Sequence, residues 1–148
     1  MKTTILKILL IAIITSVYAQ ERKTIGSIER LMPEMKNFIP DDGEIEILAE
    51  GFGWSEGPVW VDNLNALLFS DVPGNKVYKW SEEEGLSVFL NPSGYTGIAP
   101  REKKGSKNAM NRDESGSNGL VLDKSGQLII CMHGDRRVAR LTHWEKND

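Results

Sequence analysis

Polar and apolar positions follow three different rhythms along the chain. Residues 5–17 are almost entirely apolar, with Lys2 ahead of them and Lys7 among them, and Val17-Tyr18-Ala19 offers small or apolar residues where a signal peptidase reads. The run is too short to cross a bilayer, so residues 1–19 are expected to be a secretory signal cleaved after Ala19. Residues 20–43 are mixed and broken by Pro33, Pro40 and Gly43, which predicts a lead-in segment with one short helical turn. From Glu44 the period becomes two. Glu44-Ile45-Glu46-Ile47 alternates as a half-buried strand does. Short apolar runs follow at 58–61, 66–69, 76–80 and 86–90, separated by Asp62-Asn63, Pro73-Gly74-Asn75 and the acidic turn 81–85. No long 3.6-residue period appears after the leader. The expectation is an all-β chain of short antiparallel strands.

The rhythm stops at residues 96–117, which are polar, charged and rich in breakers, and predict a long surface loop. Such a loop is either a lid over a site or a solvated insertion. Beyond it the earlier pattern returns. Residues 56–80 lie over residues 118–141 once one position near Val61 is skipped. Glu56-Gly57 then meets Asn118-Gly119, Asp62 meets Asp123, Leu67-Leu68-Phe69 meets Leu128-Ile129-Ile130, Val77 meets Val138 and Lys79 meets Arg140. A unit of about four strands repeated in tandem is the mark of a β-propeller blade. The chain therefore predicts an incomplete propeller of about two blades over residues 44–148.

Composition narrows the function classes. The 148 residues carry 18 Lys and Arg against 21 Asp and Glu, a net charge of −3 that becomes more negative once Lys2 and Lys7 leave with the signal. The basic residues are scattered, which argues against nucleic acid as a partner. After signal cleavage nothing predicts a lasting membrane association, and the product is expected in a periplasm or outside the cell. The single cysteine, Cys131, cannot close an intrachain disulfide, and is expected to be a small buried apolar residue.

The stretch WSEGPVW, residues 54–60, carries the first candidate chemistry. Glu56 is a charge inside an apolar run. The repeat makes it equivalent to Asn118, each before a glycine at a strand entry. Equivalent positions of successive blades converge on one axis, and a ring of carboxylate and amide oxygens there suits a hard cation. Glu56 is then either a metal ligand or a strand-edge carboxylate that caps backbone donors.

Taken together, EILAEGFGWSEGPVW, LLFSDVPGNKVYKW, PSGYTG and SNGLVLDKSGQLIICMHGDRRVARL resemble the gluconolactonase branch of the SMP-30/gluconolactonase/LRE-like family. The resemblance runs from about Ile28 to Leu141. It implies a six-bladed propeller that hydrolyses sugar lactones with a divalent cation (calcium, magnesium, manganese or zinc) in its central channel. Glu56 falls on the family's metal-binding Glu. Asn118 falls on an Asn that contacts substrate, and His133 would lie near the inner end of its strand, facing the pocket. Several relatives have an Arg two residues before that Asn, where this chain has Gly116. Asp71 begins the equivalent turn of the first copy and reads as structural.

The family's remaining ligands, an Asn and an Asp that also serves in catalysis, fall in later blades, beyond residue 148. The resemblance thus reads the chain as the N-terminal part of a longer enzyme, or the product of an early stop or frameshift, inactive by itself. Two other functions stay open: a phosphotriesterase-like hydrolase on the same scaffold, and a non-catalytic truncated propeller.

Overall fold

The computed structural model describes residues 22–98 and 114–142. The expected signal, its cleavage point and the centre of the expected loop at 96–117 lie outside the described residues. The chain divides into two compact units, residues 1–47 and residues 48–148.

In the first unit the lead-in contains one short 3-10 helix, Pro33–Asn37, in line with the single helical turn expected there. Pro33 suits its start, since a first-turn N–H has no helical partner. Residues 44–47, expected as a strand, form only an isolated bridge between Thr24 and Glu46. Two backbone bonds flank it, Ile25 N to the Ile45 oxygen at 2.9 Å and Ile47 N to the Lys23 oxygen at 2.8 Å. The alternation is real, but it meets too short a partner to propagate a ladder.

The second unit is all-β. β1 (Ser55–Val61), β2 (Ala66–Asp71), β3 (Lys76–Ser81) and β4 (Gly85–Leu90) form one antiparallel sheet in the order β1-β2-β3-β4. β5 (Ser117–Leu122), β6 (Leu128–Met132) and β7 (Arg137–Leu141) form a second, in the order β5-β6-β7. Turn chemistry places the corners. Asn65 and Asn75 take left-handed φ of 46° and 53°, which asparagine tolerates better than most residues. Between β5 and β6, Asp123 Oδ1 accepts from Ser125 N at 2.8 Å, Ser125 Oγ at 2.7 Å and Gln127 N at 3.0 Å. The Ser125 hydroxyl above all, and then the Gln127 backbone N–H, hold the Asp123 carboxyl well below the usual carboxylate range.

The repeat is visible in the irregularities as well as in the strands. β1 shifts register between Glu56 and Val59, and β5 does so between Ser117 and Leu120. β1 begins at Ser55, three residues ahead of the expected strand start. Pro58 sits inside the shift, where the ladder needs no donor.

The sheets stack, with β5 against β1 and β2. Leu68 and Val77 of the first sheet meet Leu120, Leu128, Ile130 and Met132 of the second in one buried cluster that also holds Val61. Each fully buried aliphatic side chain there contributes about 1.5–3 kcal/mol. Ser70 Oγ and Ser117 Oγ, both buried, bond to each other at 2.7 Å across the stack. The far face of the first sheet carries Phe69 and Tyr78, with Phe52 edge-on to both at centroid distances of 4.9 and 5.0 Å.

Period-two alternation on β6 turns Leu128, Ile130 and Met132 toward the first sheet and Cys131 away from it. Cys131 is exposed, contrary to the expectation of a buried thiol, because among the described residues only one face of the second sheet is covered.

A second correction concerns the end of the segment expected as a surface loop. Ser115 and Ser117 are buried, and Ser117 already belongs to β5. The backbone at 116–117 is satisfied from within: Ser117 N donates to Ser93 Oγ at 3.1 Å, and Gly116 N donates to the Val72 oxygen at 2.7 Å.

Candidate functional site

The turn joining β6 to β7, residues 133–136, opens onto a groove of about 500 Å³. It is lined by Asn118 of β5, Cys131 and Met132 of β6, His133 and Arg136 of the turn, and Arg137 and Val138 of β7. Asn118 and His133, both singled out in the sequence, are therefore brought to one cavity. His133 begins the turn; its N donates to the Cys131 oxygen at 3.1 Å and its carbonyl accepts from Arg136 N at 3.0 Å.

Beneath the turn lies Asp135, with a side chain only 2% exposed. It pairs with Arg137 Nη2 at 3.2 Å, and Thr96 bonds to it through both its backbone N–H, at 3.1 Å, and its hydroxyl. A buried carboxylate needs such partners, and these fix the turn that presents His133 and Arg136.

Glu56 is placed differently. It sits half-buried on β1, outside the groove lining, and its Oε1 accepts from the Trp54 indole Nε1 at 3.0 Å. Asp71 sets that tryptophan: its Oδ1 accepts from Gly53 N at 3.1 Å and Trp54 N at 3.3 Å, a structural role. β1 nevertheless passes very close to β5. A Cβ on Gly57 would lie 2.3 Å from the Asn118 carbonyl oxygen. The repeat thus brings the strand carrying Glu56 alongside the strand carrying Asn118, while only Asn118 reaches the groove.

Gly116, where the family resemblance would allow an Arg, is closed to side chains. A Cβ there would lie 2.5 Å from the Val72 oxygen and 2.9 Å from the Asp71 oxygen, both backbone atoms. The two guanidinium groups of the groove come instead from Arg136 and Arg137, which the sequence reading did not single out. Their signal was local: two adjacent arginines after His-Gly-Asp at a strand-to-strand turn.

The described residues do not make up a divalent-cation site by themselves. Among them no three of His, Cys, Asp or Glu gather. A calcium ion takes six to eight oxygens, and Glu56 brings one carboxylate that already accepts the Trp54 N–H. Calorimetric titration of the purified 148-residue chain with Ca²⁺ or Mn²⁺ should accordingly show no saturable binding tighter than about 1 mM, the weak end of protein calcium sites. Micromolar one-to-one binding would show that the ligand set has been misread.

A curated gluconolactonase of Zymomonas mobilis subsp. mobilis (strain ATCC 31821 / ZM4 / CP4) is 37% identical over 118 residues, covering 80% of this chain and 31% of that relative. The crystal structure of a gluconolactonase candidate from a structural-genomics programme superposes with a TM-score of 0.58 at 33% identity, over 78% of this chain and 32% of its own. The chain thus spans about a third of the length of each. All of both sheets except Arg140 and Leu141 at the end of β7, the close passage of β1 by β5 and the groove-lining Asn118, His133, Arg136, Arg137 and Val138 fall within residues 54–139, the region that matches the family described as SMP-30/Gluconolactonase/LRE-like. The chain belongs to that family, and its two stacked sheets are two blades of an incomplete β-propeller.

Proposed function

We propose that this chain is part of a hydrolase that opens sugar lactones. The observation that carries the reading is the coincidence of the family match with a groove that gathers an amide, an imidazole and two guanidinium groups. Cys131, Met132 and Val138 make part of the wall apolar, and the polar groups beside them offer hydrogen bonds to a polyhydroxylated ligand. The Asn118 amide both donates and accepts, and so meets sugar hydroxyls in either sense. His133 adds a second such group on the same wall. Water adds to the lactone carbonyl carbon, the ring C–O bond breaks, and the ring oxygen leaves as a hydroxyl. The product is a sugar acid with a proton released to solvent.

The test uses the protein expressed from its own gene and a pH-indicator assay, which reads the released proton. Gluconolactone should be hydrolysed well above its spontaneous rate, and paraoxon should not. Paraoxon turnover equal to or above that of gluconolactone would favour a phosphotriesterase-like enzyme. No acceleration of either would favour a non-catalytic propeller.

A further inference from the structure

The repeat tells which face of each sheet is built for stacking. Laid over one another, Leu68, Ser70 and Val77 of the first sheet take the places of Ile129, Cys131 and Val138 of the second, and Val59 that of Val121. The ladders keep the same partners. Val59 pairs with Leu68 as Val121 pairs with Ile129, and Ser70 pairs with Val77 as Cys131 pairs with Val138. On the first sheet these positions face the second. Leu68, Ser70 and Val77 have no exposed surface, and Val59 packs against the same cluster. On the second sheet the equivalent positions are open. Val121 and Cys131 are exposed, and Val138 is 67% exposed.

The opposite faces show the reverse. On the second sheet Leu122, Leu128 and Leu141 form one cross-strand row, and that row packs onto the first sheet. Its counterpart on the first sheet is Trp60, Leu67 and Trp80, extended across β4 by Leu86. Trp60 and Leu86, the ends of this row, are exposed, as is Val88 on the same face of β4. Phe52 shields Phe69 and Tyr78, one level further along the strands.

Each chain therefore exposes both halves of a contact that it also makes within itself. Exposed apolar faces of this kind mark interaction surfaces. Charge does not intervene. Arg140 stands where Lys79 does, and each is paired on its own sheet, with Asp123 and with Glu84.

We infer that a second copy of this chain docks here, the Trp60–Leu67–Trp80–Leu86 row of one copy lying on Val121, Ile129 and Val138 of the next. The contact is head-to-tail. Every copy offers one face of each kind, so the docking repeats. It is independent of the lactonase reading. The dissociation constant should be about 10–100 µM, beyond the micromolar end of ordinary interfaces, because the half-exposed row adds little fresh apolar area against the cost of association. In the dilute chain the outer face of the second sheet is bare.

The experiment is sedimentation velocity on the exported protein, freed of its expected signal, from about 1 to about 300 µM, a range that brackets this constant. The protein should pass from monomer to dimers and larger species. Trp60→Glu disables one face and Val138→Glu the other, both at exposed positions, and an unchanged circular-dichroism spectrum verifies each fold. Val88→Glu replaces Trp60→Glu should that variant fail to fold. Each variant alone should stay monomeric, because it keeps only one kind of face. An equal mixture of the two should form a heterodimer and nothing larger. Cys131, inside the docked face, should react with a maleimide several-fold more slowly in the concentrated protein than in the dilute. A monomer at every concentration would overturn the inference, and so would a mixture that stays monomeric. Association that persists in either variant alone would mean like faces pairing or indiscriminate stickiness, and would overturn it too. Cys131 shielded equally at all concentrations would place the cover within one polypeptide, against a second copy.

Discussion

Gly57→Ala should strip the protein of a large share of its stability. Gly57 has a φ of +57°, and a Cβ there would stand 2.3 Å from the Asn118 oxygen and 2.8 Å from Leu120 N. Both obstacles are backbone atoms of β5, so no side-chain rotation relieves them. The left-handed backbone costs a residue with a Cβ about 1–2 kcal/mol, and forcing atoms into a packed interface adds about 1–3 kcal/mol. The expected loss is roughly 2–5 kcal/mol, out of a total that is usually about 5–15 kcal/mol for a domain. Gly85→Ala separates the two causes. Gly85 has a φ of +69° but nothing within 4 Å of a built Cβ, so its replacement pays the backbone cost alone. Urea denaturation of both variants gives the comparison. Equal losses would mean that β1 does not approach β5 as described.

The second large effect separates the two faces of β5 and β6. Leu128→Ala removes a side chain with no exposed surface from the cluster between the sheets, and should cost about 2–5 kcal/mol. Val121→Ala acts on a residue 57% exposed on the opposite face and should cost no more than about 0.5 kcal/mol. Urea midpoints should therefore fall far apart. A Val121→Ala loss matching that of Leu128→Ala would show that the outer face of the second sheet is covered in solution.

Strand and turn positions were legible in the sequence because their signals are local. Four of the expected first-sheet strands fall on β1 to β4, since alternation and turn residues are written within a few positions of each other. The charge-and-isoleucine alternation of residues 44–47 misled because a strand also needs a partner of its own length, and only Thr24 pairs there. Cys131 was misread for a different reason. Alternation tells the two faces of β6 apart, but which face is covered depends on a neighbour more than fifty residues away in sequence. The buried serine at 117 read as solvated because composition cannot show that Ser70 and Ser93 supply its partners. Asn118 and His133 were singled out through the repeat and the family motifs, and both line the groove. Arg136 was not, because its place in the groove depends on the turn that Asp135 fixes.

Residues 93–96 link two turns that would otherwise be independent. Asn75 grips the backbone of 93–95 from the first sheet, while Asp135 grips Thr96 from the second. A single short strap is thus fastened at both ends. Loosening the β2–β3 corner slackens the strap and removes support from the corner that presents His133 and Arg136. The two sheets consequently lose their order as one cooperative unit, and the shape of the groove is governed in part by an asparagine that never touches it.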